Sequence, residues 1–226
     1  MAAEGAALQR LRRFSAPAIW PTIAALPVFI VLLGLGTWQV QRLHWKEALI
    51  AERDARLAAP PIALEEVRGD PASTEFRRVR ASGAFVPGRD MFLEARTYRG
   101  EAGYHVVSPL ALRSGGGVVL VDRGWVRART AEPTPGAVTV EGVVRKADRL
   151  SPWTPDNVPA RDVWFYVDVP QMAAAKQLRD VKPFFIDTGP PPEIPNNHLQ
   201  YAVTWYGLAA ALAAIYVLLI ARRIRR

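Results

Sequence analysis

The sequence predicts a membrane α+β protein, in which two transmembrane helices flank a small, mostly antiparallel β-sheet or barrel domain with a minor helix. Three observations predict it. Two long stretches carry no charge, 28 residues from Phe14 to Gln41 and 23 from Leu199 to Ala221. The excess positive charge sits at the two ends of the chain. Between the stretches lie short runs rich in β-branched and aromatic residues, punctuated by glycine and proline.

Residues 1–13 form the first tail, with Arg10, Arg12 and Arg13 against Glu4. The first uncharged stretch, 14–41, is long enough as a helix to reach about 42 Å, against a hydrocarbon core of about 30 Å. A signal peptide has an apolar region of only about 7–15 residues and ends at small residues. This stretch is longer and ends in GTWQVQRL, so it reads as an uncleaved anchor, with Trp20 and Trp38 at opposite headgroup levels. The second stretch, 199–221, would reach about 35 Å. Residues 222–226 then bring Arg222, Arg223, Arg225 and Arg226.

Of the net charge of +8, the first tail holds +2 and the last +4, while 22 basic and 20 acidic residues remain between the stretches. Short arginine-rich ends stay on the cytoplasmic side of a membrane. Both termini are therefore expected in the cytoplasm, with the central domain across the membrane. A basic surface for nucleic acid loses its support. The tail before the first span is also short for a mitochondrial transit peptide with a linker.

Residues 42–59 place apolar side chains at Leu43, Ala48, Leu49, Ala51 and Leu57 among charges, a helical extension that Pro60 and Pro61 end. The β-rich domain is expected over 60–187. RVRASGAFV, DMFLEARTY, GYHVVSPLAL, GVVLVDRGWV and VTVEGVVRKA read as strands, as do VWFYVDV from Val163 and FFIDT from Phe184. PQMAAAKQL at 170–178 reads as the minor helix, with proline at its first position. The triplet Gly115–Gly117 precedes a strand and not a helix, so it reads as a hairpin turn and not a phosphate cradle. Residues 188–198 form a stiff proline-rich linker.

No GxSxG, HExxH, P-loop or cysteine nucleophile is present, and no spacing marks a nucleophile with its base, so an enzyme is not expected. The chain has no cysteine, which removes disulfides, thiolate metal sites and covalent CxxCH haem attachment. Of three histidines, His105 in GYHVV reads as a sheet-surface residue and His44 as an interfacial polar group.

His198 has more specific neighbours. Asn196 or Asn197 can cap the second helix, which leaves His198 in its first turn, with Tyr201, Ala202 and Trp205 on the same face. A small residue between two aromatics leaves room for a flat apolar ligand. An imidazole at this depth also serves as an interface anchor that hydrogen-bonds to headgroups. On the same outer side, the first span ends in Trp38, Gln39, Gln41 and Arg42, and Trp38 and Arg42 share a face. A haem suits such a pair of helices, because its iron takes an axial imidazole, its ring an apolar slot and its propionates a cation near water. His198, Ala202 with Trp205, and Arg42 match those needs. Arg42 reads equally as a contact to lipid phosphate.

GTWQVQRLHWKEALI at 36–50, SGAFV at 82–86, VLVDRGWV at 119–126 and NNHLQYAVTWYGLA at 196–209 together resemble the Surfeit locus protein family. The likeness runs in order over most of the chain, and the last motif is the most specific. Asp122 and Arg127 depart from the family pattern, which commonly has asparagine and proline there. The resemblance implies an assembly factor for cytochrome c oxidase, with the catalytic subunit of the oxidase and haem a synthase as partners alongside the lipid bilayer, and a central domain in the periplasm or the intermembrane space. With so short a first tail, a multi-pass protein of a bacterial inner (plasma) membrane, both termini cytoplasmic and the central domain periplasmic, is expected. The resemblance also implies transient binding of haem a, with His198 as the axial ligand of the haem iron. The other reading is a cofactor-free membrane scaffold that stabilises assembly intermediates through its periplasmic β domain.

Overall fold

A computed structural model describes residues 19–67, 71–146, 151, 153–191 and 194–225. The expected tail 1–13, the start of the first span from Phe14, residues Pro192 and Glu193 of the linker, and Arg226 lie outside the described residues. The chain divides into two compact units, 1–51 with 193–226, and 52–192.

The first unit is a pair of helices. Helix α1 runs Ile19–Ala58, 40 residues without interruption. The expected span and its extension are thus one helix. Pro27 lies inside it. A proline is tolerated in a membrane helix because neighbouring groups re-satisfy the backbone it leaves open. Helix α4, the last in the chain, runs His198–Ile224. Both are long and apolar enough to cross a membrane, and only 11% and 6% of their apolar stretches are buried. Helices this apolar with so little covered need an apolar surrounding, which a bilayer supplies. Trp20 and Trp38 are both exposed and stand 18 residues apart, about 27 Å along a helix, close to the thickness of a hydrocarbon core.

What α1 does cover follows one rhythm. Thr22, Ala25, Phe29, Leu32, Gly36, Gln39, Leu43, Lys46 and Ile50 are buried or half-buried, at alternating steps of three and four. On α4, His198, Ala202, Trp205, Ala209, Leu212 and Tyr216 repeat it. A seam at this spacing is the pattern of helices packed side by side, with small residues where they approach. Gly36 is needed there, since a Cβ would stand 2.7 Å from the Tyr206 ring.

The second unit is built on β strands. Strands β1 (Ile62–Ala63), β2 (Arg78–Phe85), β3 (Met91–Tyr98), β4 (Glu101–Leu112), β5 (Val118–Val126), β6 (Val138–Arg145) and β7 (Val181–Asp187) form one sheet in the order β1-β2-β6-β7-β5-β4-β3. A further pairing of β2 with β4 closes β2, β6, β7, β5 and β4 into a ring, a barrel. Within the ring only β5 and β7 are parallel. Short helices α2 (Pro71–Thr74) and α3 (Val169–Ala175) accompany it. The Asp168 carboxylate caps α3 by accepting from the Gln171 N–H, and Pro170 stands in its first turn. The Gly115–Gly117 triplet is the β4–β5 turn, with Gly115 and Gly117 at φ 75° and 86°. Only glycine adopts that conformation at no steric cost.

The unit has two cores, and β5 and β7 contribute to both. Val119, Val121, Phe184 and Ile186 join Val79, Leu110 and Val144 in one cluster. Leu120 and Phe185 point the other way, into Met91, Leu93, Trp164, Val167 and Met172. Side chains alternate across a strand, so burial on both faces produces near-continuous apolar runs such as VVLV. The segment VWFYVDV is not a strand. It makes only isolated bridges, Leu93 with Trp164 and Val158 with Val163, and lays Trp164 across β3 as a core residue. Its apolar character serves packing; Trp164 O accepts from Glu94 N in the bridge to β3, and Asn157 Oδ1 accepts from Phe165 N.

Candidate functional site at the head of the second membrane helix

His198 is the first residue of α4, and Asn197 is its N-cap. Asn197 makes no side-chain cap bond. Asn196 does not replace it, for its Oδ1 is buried without a hydrogen-bond partner among the described residues. The helix start is held instead from α1. The His198 ring nitrogen Nδ1 lies 2.7 Å from Gln39 Oε1, and Lys46 Nζ donates to the backbone oxygen of Pro195. Deeper, Thr37 Oγ1 meets the Tyr206 hydroxyl at 3.1 Å and Thr22 Oγ1 the Tyr216 hydroxyl at 2.6 Å. Gln39, Thr22, His198 and Tyr216 thus bond across the pair from within the seam, and Thr37 and Tyr206 from its exposed edge, where the alternative is an unpaired group in hydrocarbon.

Of the residues expected at the site, His198 and Ala202 lie in the seam, Ala202 at 2% exposure. This small side chain is packed inside the helix pair and not on its outer surface. Trp205 is half-buried beside them. Tyr201 and Trp38 stay exposed, at 54% and 53%. Arg42 is exposed too, and its guanidinium carbon stacks 3.8 Å over the Trp45 ring. Stacking occupies the face of a guanidinium and leaves its N–H edge free for a planar anion. Among the described residues no carboxylate pairs with Arg42.

Gln39 and Lys46 were not singled out from the sequence as site residues. Steps of three and four from Gly36 through Gln39 and Leu43 to Lys46 carry the signal, because that spacing aligns both polar groups with the seam.

The other two histidines have partners. His44 is exposed and faces Glu47 at 3.4 Å, as an interfacial polar group would. His105, by contrast, is not a plain sheet-surface residue. Its Nδ1 lies 2.8 Å from Asp122 Oδ2, on the neighbouring strand. Asp122 is 5% exposed and its Oδ1 accepts from the Gly124 N–H. Beside it, the Asp187 carboxyl is held above the usual carboxylate range, first by burial and further by Asp122, against the Gly189 N–H, Arg145 and His105. Among the described residues no three His, Cys, Asp or Glu side chains gather to hold a metal ion.

A model of the SURF1 family matches residues 26–210. The chain is 35% identical over 227 residues to a SURF1-like protein of Monosiga brevicollis, covering 87% of this chain and 86% of that relative. It is 34% identical over 224 residues to Surfeit locus protein 1 of Mus musculus, covering 84% of this chain and 72% of the relative. The human Surfeit locus protein 1 is 32% identical over 222 residues, 83% of this chain and 73% of the relative.

Proposed function

The chain belongs to the SURF1 family, and on that premise we propose that it is a non-enzymatic assembly factor of cytochrome c oxidase in a bacterial inner membrane. It holds haem a as cargo at the outer ends of α1 and α4 and promotes its insertion into the catalytic subunit, receiving it from haem a synthase. Both termini face the cytoplasm and the β unit faces the periplasm. The role in the oxidase rests on the family, and the haem reading rests on the resemblance together with the site.

One observation carries that reading: an imidazole at the first turn of α4, bonded through Nδ1 to a buried residue of α1 at the level of Trp38. The donor set fits this cargo. A bare metal ion needs several protein ligands, whereas a porphyrin supplies four nitrogens and asks for a single axial imidazole. His198 offers it. Arg42 offers a guanidinium edge to a propionate, and Trp38, Tyr201 and Trp205 offer aromatic surface at the same end of the pair. Asn196 Oδ1, two residues before His198, is a buried acceptor without a donor among the described residues; the hydroxyl on a haem a side chain is a donor. When bound, the haem supplies the redox chemistry of the finished oxidase and none to this chain. One imidazole, in place of two, suits a protein that has to give its cargo up.

The test is purification after co-expression with haem a synthesis. A Soret band in the wild type that weakens at least tenfold in His198→Ala supports the carrier. A colourless wild type that still captures the oxidase subunit supports the cofactor-free scaffold, in which the β unit grips the assembly intermediate.

A further inference from the structure

Gln39 is 9% exposed, and among the described residues it is the one buried polar side chain of the two membrane helices. Placing an amide there costs free energy unless it is hydrogen-bonded. Its partner is His198, at 2.7 Å from Oε1 to Nδ1. An amide oxygen can only accept, so the hydrogen of this bond sits on His198 Nδ1. A neutral imidazole carries one hydrogen, and the lone pair is then on Nε2.

We propose that Gln39 is the positioning residue of this site: it holds His198 as the Nδ1–H tautomer and fixes the ring, so that Nε2 is the nitrogen left to bind iron. The tautomer follows from the end of the Gln39 amide that faces Nδ1, its oxygen; the assignment of Nε2 to iron rests on the haem reading above. The arrangement is the one in which a metal-binding histidine donates its other N–H to an outer partner that fixes tautomer and orientation. Here the partner is a neutral amide and comes from the other helix. The ligand is therefore oriented only while α1 and α4 are in register at this level. A shift of one helix along the other releases the ring, and with it the preference for one nitrogen.

The experiment uses the full chain in nanodiscs with histidine labelled by nitrogen-15, under conditions where the two ring nitrogens give the well-separated signals of a neutral imidazole. The His198 signals are those missing from His198→Ala. In the wild type the protonated nitrogen is expected to be Nδ1. Gln39→Leu should shift the ring toward the Nε2–H form, and Gln39→Glu, which keeps an acceptor at the same reach, should restore Nδ1–H. Circular dichroism on each variant checks that both helices remain. A wild type in the Nε2–H form, or a Gln39→Leu variant that keeps Nδ1–H, overturns the proposal. Titration with iron protoporphyrin IX is the second arm. Loss of an outer partner lowers affinity about 10–100-fold, so Gln39→Leu should bind that much more weakly and Gln39→Glu should recover. Unchanged affinity in Gln39→Leu overturns the positioning role. Unchanged affinity in His198→Ala instead overturns the haem reading, while the tautomer result stands.

Discussion

The helix pair and the barrel solve opposite problems with the same residue types. In α1 and α4 apolar side chains face outward, with Ile23, Val28, Ile30, Leu208, Val217 and Leu218 at roughly half exposure or more, while Gln39 and Thr22 bond inward. In the barrel, valine and phenylalanine turn inward and Arg80 pairs with Glu141 on the outside. Lipid removes the drive to bury apolar surface, so the pair is held by shape and a few hydrogen bonds; water supplies that drive to the barrel. Mutations should therefore behave differently in the two units.

The largest effect is expected in the barrel unit. Trp164 has no exposed surface, and Trp164→Ala should cost about 3–5 kcal/mol in denaturant unfolding of the full chain, with the helical signal of α1 and α4 retained. A loss of both together would break the comparison, because it would make the units one cooperative block. Next comes the seam. Gly36→Val presses on the Tyr206 ring and should cost about 1–3 kcal/mol of helix pairing. The chain has no cysteine of its own, so thiols placed at 22 and 216 and joined by a short cross-linker report the pairing; undiminished cross-linking would show that the seam yields.

A smaller loss, about 1 kcal/mol, is expected for His105→Ala, because Asp122 keeps the Gly124 N–H while water reaches the vacated site. The shift of a urea midpoint measures it. The smallest effect is told by its sign. Folding raises the Asp187 pKa, chiefly through burial. Its contribution to stability is therefore complete below the ordinary aspartate value of about 3.9 and lost as pH rises through the raised folded value. The wild type should gain stability relative to Asp187→Asn as pH falls from neutral toward about 4. A flat difference over that range would show that Arg145 and Gly189 cancel the burial.

Much of this was legible before any coordinates. Absence of charge marked both spans, since a charge is what a bilayer rejects. Glycine and proline marked the ends of the strands, and Pro170 with the alanines after it marked α3. VWFYVDV has a strand's composition without being one, because burial by packing and burial in a ladder draw on the same residues; strand pattern alone does not tell whether Trp164 has neighbours to pair with. His105 looked like a surface residue because its partner, Asp122, is 17 positions away and meets it only across the β4–β5 ladder. At the site, His198 stood out by its place before an uncharged run, while Gln39 was one of several polar residues at the end of another.

The sequence alone determined which two stretches are long and apolar enough to cross a membrane, that arginines flank them, and that a β-rich domain lies between them, because these follow from local composition and short-range periodicity. Only the tertiary structure decided that β2 meets β4 to close the barrel, that β5 and β7 bury both faces, and that Gln39 takes the Nδ1 side of His198. Each of those joins residues far apart in the chain, and the free energy that selects them comes from long-range packing and pairing that no local pattern encodes.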